Sequence, residues 1–353
     1  MPGLWDPFVV GRIELRHRFA MAPMTRNRAN SDGTPGPLAS LYYEQRASLG
    51  LLITEGTQTS EDGQGYMNTP GIFTDAHVAG WRKVTDAAHA AGAHLFIQLM
   101  HAGRVAHPDN TPHHRQPVAP SAIAPGESMF TKRGPLPIPV PHALTTSEVK
   151  GVVREFRAAA ARAIEAGADG VEIHGANGYL VQQFIAANSN VRSDEYGGSI
   201  EQRARFALDV SDAVAAEIGP ERTGIRLSPG SRLGGIEEGP QSESLYRYLV
   251  AQLAELDLAY LHLVHGDNGP LLKELREIWP NALLLNRIDR ALETAAADVQ
   301  TGLADIVPIG RWALSNPDFV ERVRRGAPLS APDPATFYGG GAQGYIDYPR
   351  LRA

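Results

Sequence analysis

Short runs of apolar residues recur along the chain, each preceded by a glycine and each ended by a polar residue or another glycine. Four are clear: Gly50 to Gly56 (GLLITEG), Gly92 to Gln98 (GAHLFIQ), Gly167 to His174 (GADGVEIH) and Gly302 to Arg311 (GLADIVPIGR). Strands buried on both faces, as in parallel sheets, read as continuous apolar runs. The glycines stand where alanine-rich helices would need a left-handed C-terminal residue. The repeating unit is therefore a helix, a glycine and a buried strand. The most regular helix carries Val149, Val152, Val153, Phe156, Ala160, Ala163 and Ile164 at the i, i+3, i+4, i+7 spacing of one buried face. Thr145 and Glu148 give it a capping box. Adding the less regular units, strands are predicted near 18–22, 51–54, 94–99, 170–174, 223–227, 260–264, 282–286 and 306–309, with helices between them. Such an alternation predicts an α/β fold, a (β/α)8 TIM barrel in one domain over 1–353. Two segments fall outside it. The Pro-, His- and Gly-rich stretch 101–142 follows the third strand and is expected to be a cap or flap. The tail 328–353 is expected to close the site.

Composition narrows the partners. With 33 basic against 39 acidic residues and a formal charge of -6, the chain offers no basic surface for nucleic acid and no polybasic membrane anchor. The absence of cysteine removes disulfides, thiolate metal sites and a cysteine nucleophile. No charged region followed by an apolar stretch opens the chain, so a cytoplasmic enzyme acting on small molecules, a monomer or small homo-oligomer, is expected.

Active sites of such barrels lie at the C-terminal ends of the strands. Standing there are Pro23, Met24, Thr25 and Arg26; Glu55 and Gly56; Gln98; His174 with Asn177; Arg226; Asn286 and Arg287; Gly310 and Arg311. His174, Asn177 and Tyr179 place an imidazole, an amide and a phenol at offsets of zero, three and five. The first two can donate to one oxygen and the third can deliver a proton beside it, which suits polarisation of a carbonyl or nitro group. Arg226 is a charge in an apolar strand and needs an anionic partner, either a ligand or an internal carboxylate such as Glu172 or Glu55. Gly310 and Arg311, after the last strand, suit a phosphate, though a solvated loop arginine would read the same way. The glycines from Gly339 to Gly344 match a dinucleotide fingerprint only formally, since no strand precedes them and no helix follows. His101, His107, His113 and His114 match no metal-ligand spacing, and no metal is expected.

Taken together these residues resemble the Old Yellow Enzyme family of flavin-dependent ene-reductases, from Phe8 to Leu351. The resemblance rests on Ala22 to Arg26, Ile97 to Arg104 (IQLMHAGR), His174 to Leu180, Asp194 to Ser199 with Arg203, Arg226 to Pro229, Gly310 and Arg311 with Asn316 to Asp318, and Phe337 to Tyr345. It implies noncovalent FMN, reduced by NADPH or NADH, that passes hydride from N5 to the β-carbon of an activated alkene. By the same resemblance Thr25 and Gln98 would bind the flavin ring and Arg226 would neutralise charge at N1. Gly310 and Arg311, with Asn286 and Arg287 nearby, would hold the phosphate, and Pro23, Met24 and Gly56 would give backbone contacts. His174 and Asn177 would bind the substrate oxygen, Tyr179 would protonate the α-carbon, and Tyr66, Met100 and Tyr345 would line the substrate pocket. The sequence departs from the family where Asn286 and Arg287 replace small residues, where Asn177 replaces a frequent His, and where Met100 replaces a frequent Trp. Other readings remain: a nitroester or nitroaromatic reductase, a lyase on the same barrel, or a flavin-binding protein without catalysis. The lyase would need a strand-end lysine or a metal, and Lys83, Lys132, Lys150 and Lys273 all fall on expected helices or loops.

Overall fold

The computed structural model describes residues 2–265, 268–287 and 291–351. Eight parallel strands form the barrel: β1 (Phe19–Met21), β2 (Leu51–Ile53), β3 (His94–Met100), β4 (Gly170–Gly175), β5 (Thr223–Leu227), β6 (Tyr260–His265), β7 (Ala282–Arg287) and β8 (Val307–Ile309). They pair in chain order, β8 pairs with β1, and a bridge between Leu284 and Ile306 joins β7 to β8 and closes the ring. Around it run α1 (Ala39–Glu44), α2 (Asp75–Ala90), α3 (Thr146–Glu165), α4 (Leu180–Ile185), α5 (Ile200–Ile218), α6 (Ser242–Ala254), α7 (Gly269–Ile278), α8 (Leu292–Gln300), α9 (Arg311–Ser315) and α10 (Phe319–Arg325). The fold is a (β/α)8 barrel, and every expected strand is present.

Period-two alternation divides the apolar strand residues between two cores. Leu95, Ile97 and Leu99 of β3 join Val171, Ile173, Ile225, Leu227, Leu261 and Leu263 in the layer between sheet and helices. Phe96, Tyr260 and Leu284 point into the barrel and join Val10, Ile13 and Leu15. Those three belong to an antiparallel hairpin, Phe8–Val10 with Ile13–Leu15, that packs across the end where the strands begin. With that end plugged by apolar groups, polar interior residues collect at the other.

The helix-to-strand glycines Gly50, Gly92, Gly167 and Gly302 all take positive φ, as their cap positions require. α3 begins with the expected Thr145 and Glu148 capping box, and Ser199 with Gln202 forms another at α5, so the motif from Asp194 to Ser199 ends in a helix cap. Between β3 and α3, the 101–142 segment contains a hairpin, Ser128–Thr131 with Gly134–Pro137. Its Met129 and Ile138 pack with Val105 against Tyr66 and Tyr179. No helix among the described residues is long and apolar enough to cross a membrane.

Candidate active site

A cavity of about 330 Å³ lies at the C-terminal ends of the strands, lined by Pro23, Met24, Thr25, Gly56, Gln98, Met100, His174, Asn177, Tyr179, Arg226, Arg311, Leu314, Phe337 and Tyr338. Eleven of these are the site residues expected from the sequence; Phe337 and Tyr338 belong to the resemblance motif that ends at Tyr345 but carry no expected role there, and Leu314 is new. A second hollow of about 350 Å³, lined by Thr59, Glu61, Asp62 and Arg115 among others, lies away from the strand ends. Its Arg115 is already paired with Glu61 and Asp62.

The geometry of His174 follows from the turn after β4. Asn177 and Gly178 both adopt positive φ, 56° and 85°. At Gly178 a Cβ would stand 2.2 Å from the Leu233 carbonyl oxygen, so only glycine fits. The turn is pinned by Asn177 N–H donating to Ser228 Oγ (2.9 Å) and Gly178 N–H donating to Gln182 Oε1 (2.8 Å). It also directs the Ala176 N–H onto His174 Nδ1 (3.3 Å). Because Nδ1 accepts, the ring proton sits on Nε2. Burial, then the nearby Arg226 and His262, hold the His174 pKa well below its ordinary value, so the ring is a neutral donor at physiological pH.

Tyr179 is the N-cap residue of α4, its ring edge-on to His174 at 4.9 Å between centroids. Its hydroxyl lies 3.0 Å from that of Tyr66. Burial and then Tyr66 raise its pKa well above that of a free phenol, so it keeps its proton. Tyr66 thus reaches the site through Tyr179 and is not itself part of the lining.

Arg226 is 6% exposed, and its Nε has no hydrogen-bond partner. Among the described residues it makes no ion pair within 4.0 Å. The two internal carboxylates considered for it are engaged elsewhere: Glu55 Oε2 accepts from the Arg26 N–H (2.9 Å), and Glu172 accepts from Gln98 and His262. A buried guanidinium at a cavity wall is the feature an anionic or electron-rich ligand satisfies.

Besides Tyr66, four expected residues are absent from the cavity lining. Arg287 follows the same alternation as Leu283 and Leu285, turns toward α8 and forms a bidentate pair with Asp298 (2.6 and 2.9 Å). Neither it nor Asn286 joins the cavity lining. Tyr345 is 2% exposed and stacks on Tyr42 at 4.2 Å, leaving Tyr338 as the tail tyrosine at the cavity. Gly310 is the N-cap of α9 beside Met24. The lysines lie on α2, in the hairpin turn, on α3 and on α7, so the lyase reading finds no amine at the cavity. Among the described residues no three His, Asp or Glu gather as metal ligands.

A profile of the NADH:flavin oxidoreductase / NADH oxidase family matches residues 3–330. The chain belongs to this family. A probable flavin mononucleotide-dependent alkene reductase of Leishmania infantum is 44% identical over 97% of this chain and 96% of its own length. 12-Oxophytodienoate reductase 2 of Arabidopsis thaliana is 40% identical over 99% and 96%. Among solved structures, morphinone reductase in complex with tetrahydroNAD superposes with a TM-score of 0.95 at 44% identity, covering 100% of this chain and 98% of that one. An Old Yellow Enzyme homologue from Zymomonas mobilis gives 0.96 at 39%, covering 99% and 100%. The chain is thus a member of the Old Yellow Enzyme family and an NAD(P)H-dependent oxidoreductase. In this member of the family Gly56, just beyond β2, faces Met100 at the end of β3 in the cavity wall. A Cβ at Gly56 would stand 2.5 Å from Met100 Sδ, so glycine here lets the thioether occupy the wall.

Proposed function

We propose that this protein is an FMN-dependent ene-reductase that uses NADPH or NADH to reduce α,β-unsaturated carbonyl compounds and nitroalkenes. The observation that carries the reading is the neutral His174, its proton held on Nε2 by the Ala176 N–H, beside the protonated phenol of Tyr179. FMN, when bound, supplies two-electron chemistry between the nicotinamide and the alkene.

The residues at the cavity fit that group. Arg226 offers a buried positive charge whose Nε is unpartnered, and Gln98 offers an amide from the neighbouring strand end. In this reading Thr25 meets the ring system, Pro23, Met24 and Gly56 approach it through backbone, and Gly310 with Arg311 hold the phosphate. Asn286 and Arg287 are left out, because Arg287 is committed to Asp298. His174 and Asn177 donate to the substrate oxygen as negative charge develops there, and one such donor is worth about 2.7–4 kcal/mol in comparable oxyanion sites. Tyr179 then gives its proton to the α-carbon. Met100 and Tyr338 shape the substrate space, while the 101–142 segment and the tail cap it. The relatives named for alkene, oxophytodienoate and morphinone reduction support the substrate class.

The test is direct. Purified protein should be yellow, should lose its flavin absorbance when NADPH is added without oxygen, and should regain it on addition of 2-cyclohexenone. A colourless protein that fails to take up added FMN would remove the proposal.

A further inference from the structure

One layer deeper in the barrel than His174 lies a buried carboxylate outside the cavity lining. Glu172 and His262 have side chains with 0% exposure, and His262 Nδ1 lies 2.8 Å from Glu172 Oε2. Glu172 Oε1 accepts from Gln98 Nε2 at 2.7 Å. Strand register sets this up, since Glu172 pairs across with Gln98 on β3 and with Gly224 on β5. At Gly224 a Cβ would lie 2.3 Å from the Tyr260 ring, so glycine admits that ring to the same layer.

The chemistry of the group restricts its neighbours. An ionised carboxylate only accepts, so both partners must donate to it. Burial opposes ionisation of Glu172, but His262, Arg226 and Gln98 outweigh it and hold its pKa below the ordinary value. His262 must then carry its proton on Nδ1, and its Nε2 is left without a partner. Gln98 must turn its NH2 to Glu172, which leaves its carbonyl oxygen to the cavity it lines. The groups facing Glu172 are Gln98 from β3, Arg226 from β5, and Tyr260 and His262 from β6.

We propose that Glu172 is a positioning residue with two effects: it fixes the Gln98 amide so that an acceptor meets the N–H edge of the flavin, and it offsets the Arg226 charge, so that it sets flavin affinity and reduction potential. The proposal rests on the FMN reading above. Replacing Glu172 by Gln removes the negative charge and the preference for one amide orientation. Arg226 is then unopposed and favours the reduced, more negative flavin.

The experiment compares wild type and Glu172→Gln, prepared free of flavin and titrated with FMN by fluorescence quenching, then equilibrated with a reference dye to obtain the midpoint potential. Oxidised FMN should bind about fivefold more weakly, the worth of the one neutral hydrogen bond that a misoriented Gln98 amide no longer makes, and the potential should move positive. His262→Leu, which lies outside the cavity, covers the case in which Glu172→Gln does not fold. With one donor lost, Glu172 takes up a proton more readily, so the potential should again move positive, and further as pH is lowered. A folded variant that is merely less stable, with affinity and potential unchanged, would overturn the proposal alone. Wild-type protein that takes up no FMN would overturn the ene-reductase reading and this inference with it.

Discussion

On one side of the cavity Gln98, His174 and Arg226 project from the adjacent strands β3, β4 and β5; on another, Phe337 and Tyr338 come from a tail that belongs to no strand. The strand wall is held by barrel register and by buried hydrogen bonds such as Gln98 to Glu172. The tail wall is held by two arginines of the loop after β1. Arg26, fully buried, donates to the carbonyls of Phe337 (3.0 Å) and Gly344 (2.8 Å). Arg28, half-buried, donates to those of Thr336 (3.0 Å), Gly341 (3.1 Å) and Gln343 (3.0 Å). Tyr345 anchors the end of the tail by stacking on Tyr42 beneath Arg26. Groups that must meet developing charge sit on the strands or, like Asn177 and Tyr179, on the hydrogen-bonded turn directly after β4, and groups that need only enclose a substrate hang on side chain to carbonyl bonds. The expectation is that the strand wall governs chemistry and the tail wall governs binding and selectivity.

The sharpest break of that comparison is Tyr179→Phe. A positioned proton donor contributes about 10²–10⁴-fold. Only the half-reaction with the enone needs the proton, so that half should slow within this range while the half-reaction with NADPH stays nearly intact. Stopped-flow measurement separates the two; equal losses would make Tyr179 a general positioning group. Next comes His174→Ala, or Asn177→Ala, each removing one donor from the substrate oxygen. A loss of about 10²–10³-fold in enone reduction is expected, together with weaker binding of a phenolate, whose charged oxygen would occupy the same donors. Unchanged rate and affinity in the double variant would refute the strand-wall role.

Glu55 links the two walls, since it holds the Arg26 backbone from which the tail hangs. Burial, against the pull of the Arg26 N–H, raises its pKa from 4.5 to about 7. A carboxyl raised on folding contributes stability below its unfolded pKa and loses it as pH rises through the folded one. Glu55→Gln keeps an acceptor for Arg26 but never ionises. It should therefore match wild type near pH 4.5 and exceed it by up to about 3 kcal/mol at pH 8, as read from denaturant midpoints. A difference that does not grow with pH would show that Glu55 ionises in the fold without cost.

The same contrast explains how much the sequence revealed. Strands buried on both faces announce themselves as apolar runs, and a polar residue ending such a run can only face the cavity or the helices. Gln98, His174 and Arg226 were legible for that reason. Glu172 stands two residues before His174 on the same face, yet its pairing with His262 depends on register between β4, β5 and β6, which no local pattern states. Arg287 misled because a strand-end position does not say which way a side chain turns; Asp298, eleven residues on, decides it. The tail is the least legible part. Phe337, Tyr338 and Tyr345 are all aromatic, and which of them meets the cavity depends on Arg26 and on carbonyls 311 and 318 positions away.

The smallest expected effect tests the tail wall itself. Arg28→Ala removes the donors to Thr336, Gly341 and Gln343 while leaving the buried Arg26 in place. Water can replace part of what is lost at these partly exposed bonds, so the net loosening is about 1 kcal/mol, enough for a KM rise of about fivefold. The turnover number should change little, because neither Phe337 nor Tyr338 carries a group that donates to the substrate oxygen from a fixed strand position. Limited proteolysis should cut the 336–345 segment faster in the variant, which confirms that the tail has loosened. Arg28→Lys, with one point charge in place of a planar fork, should fall between the two. If the tail is cut faster and KM is unaltered, Phe337 and Tyr338 do not meet substrate. If the turnover number falls as far as it does for His174→Ala, the tail wall shares in the chemistry, and the division between the two walls fails.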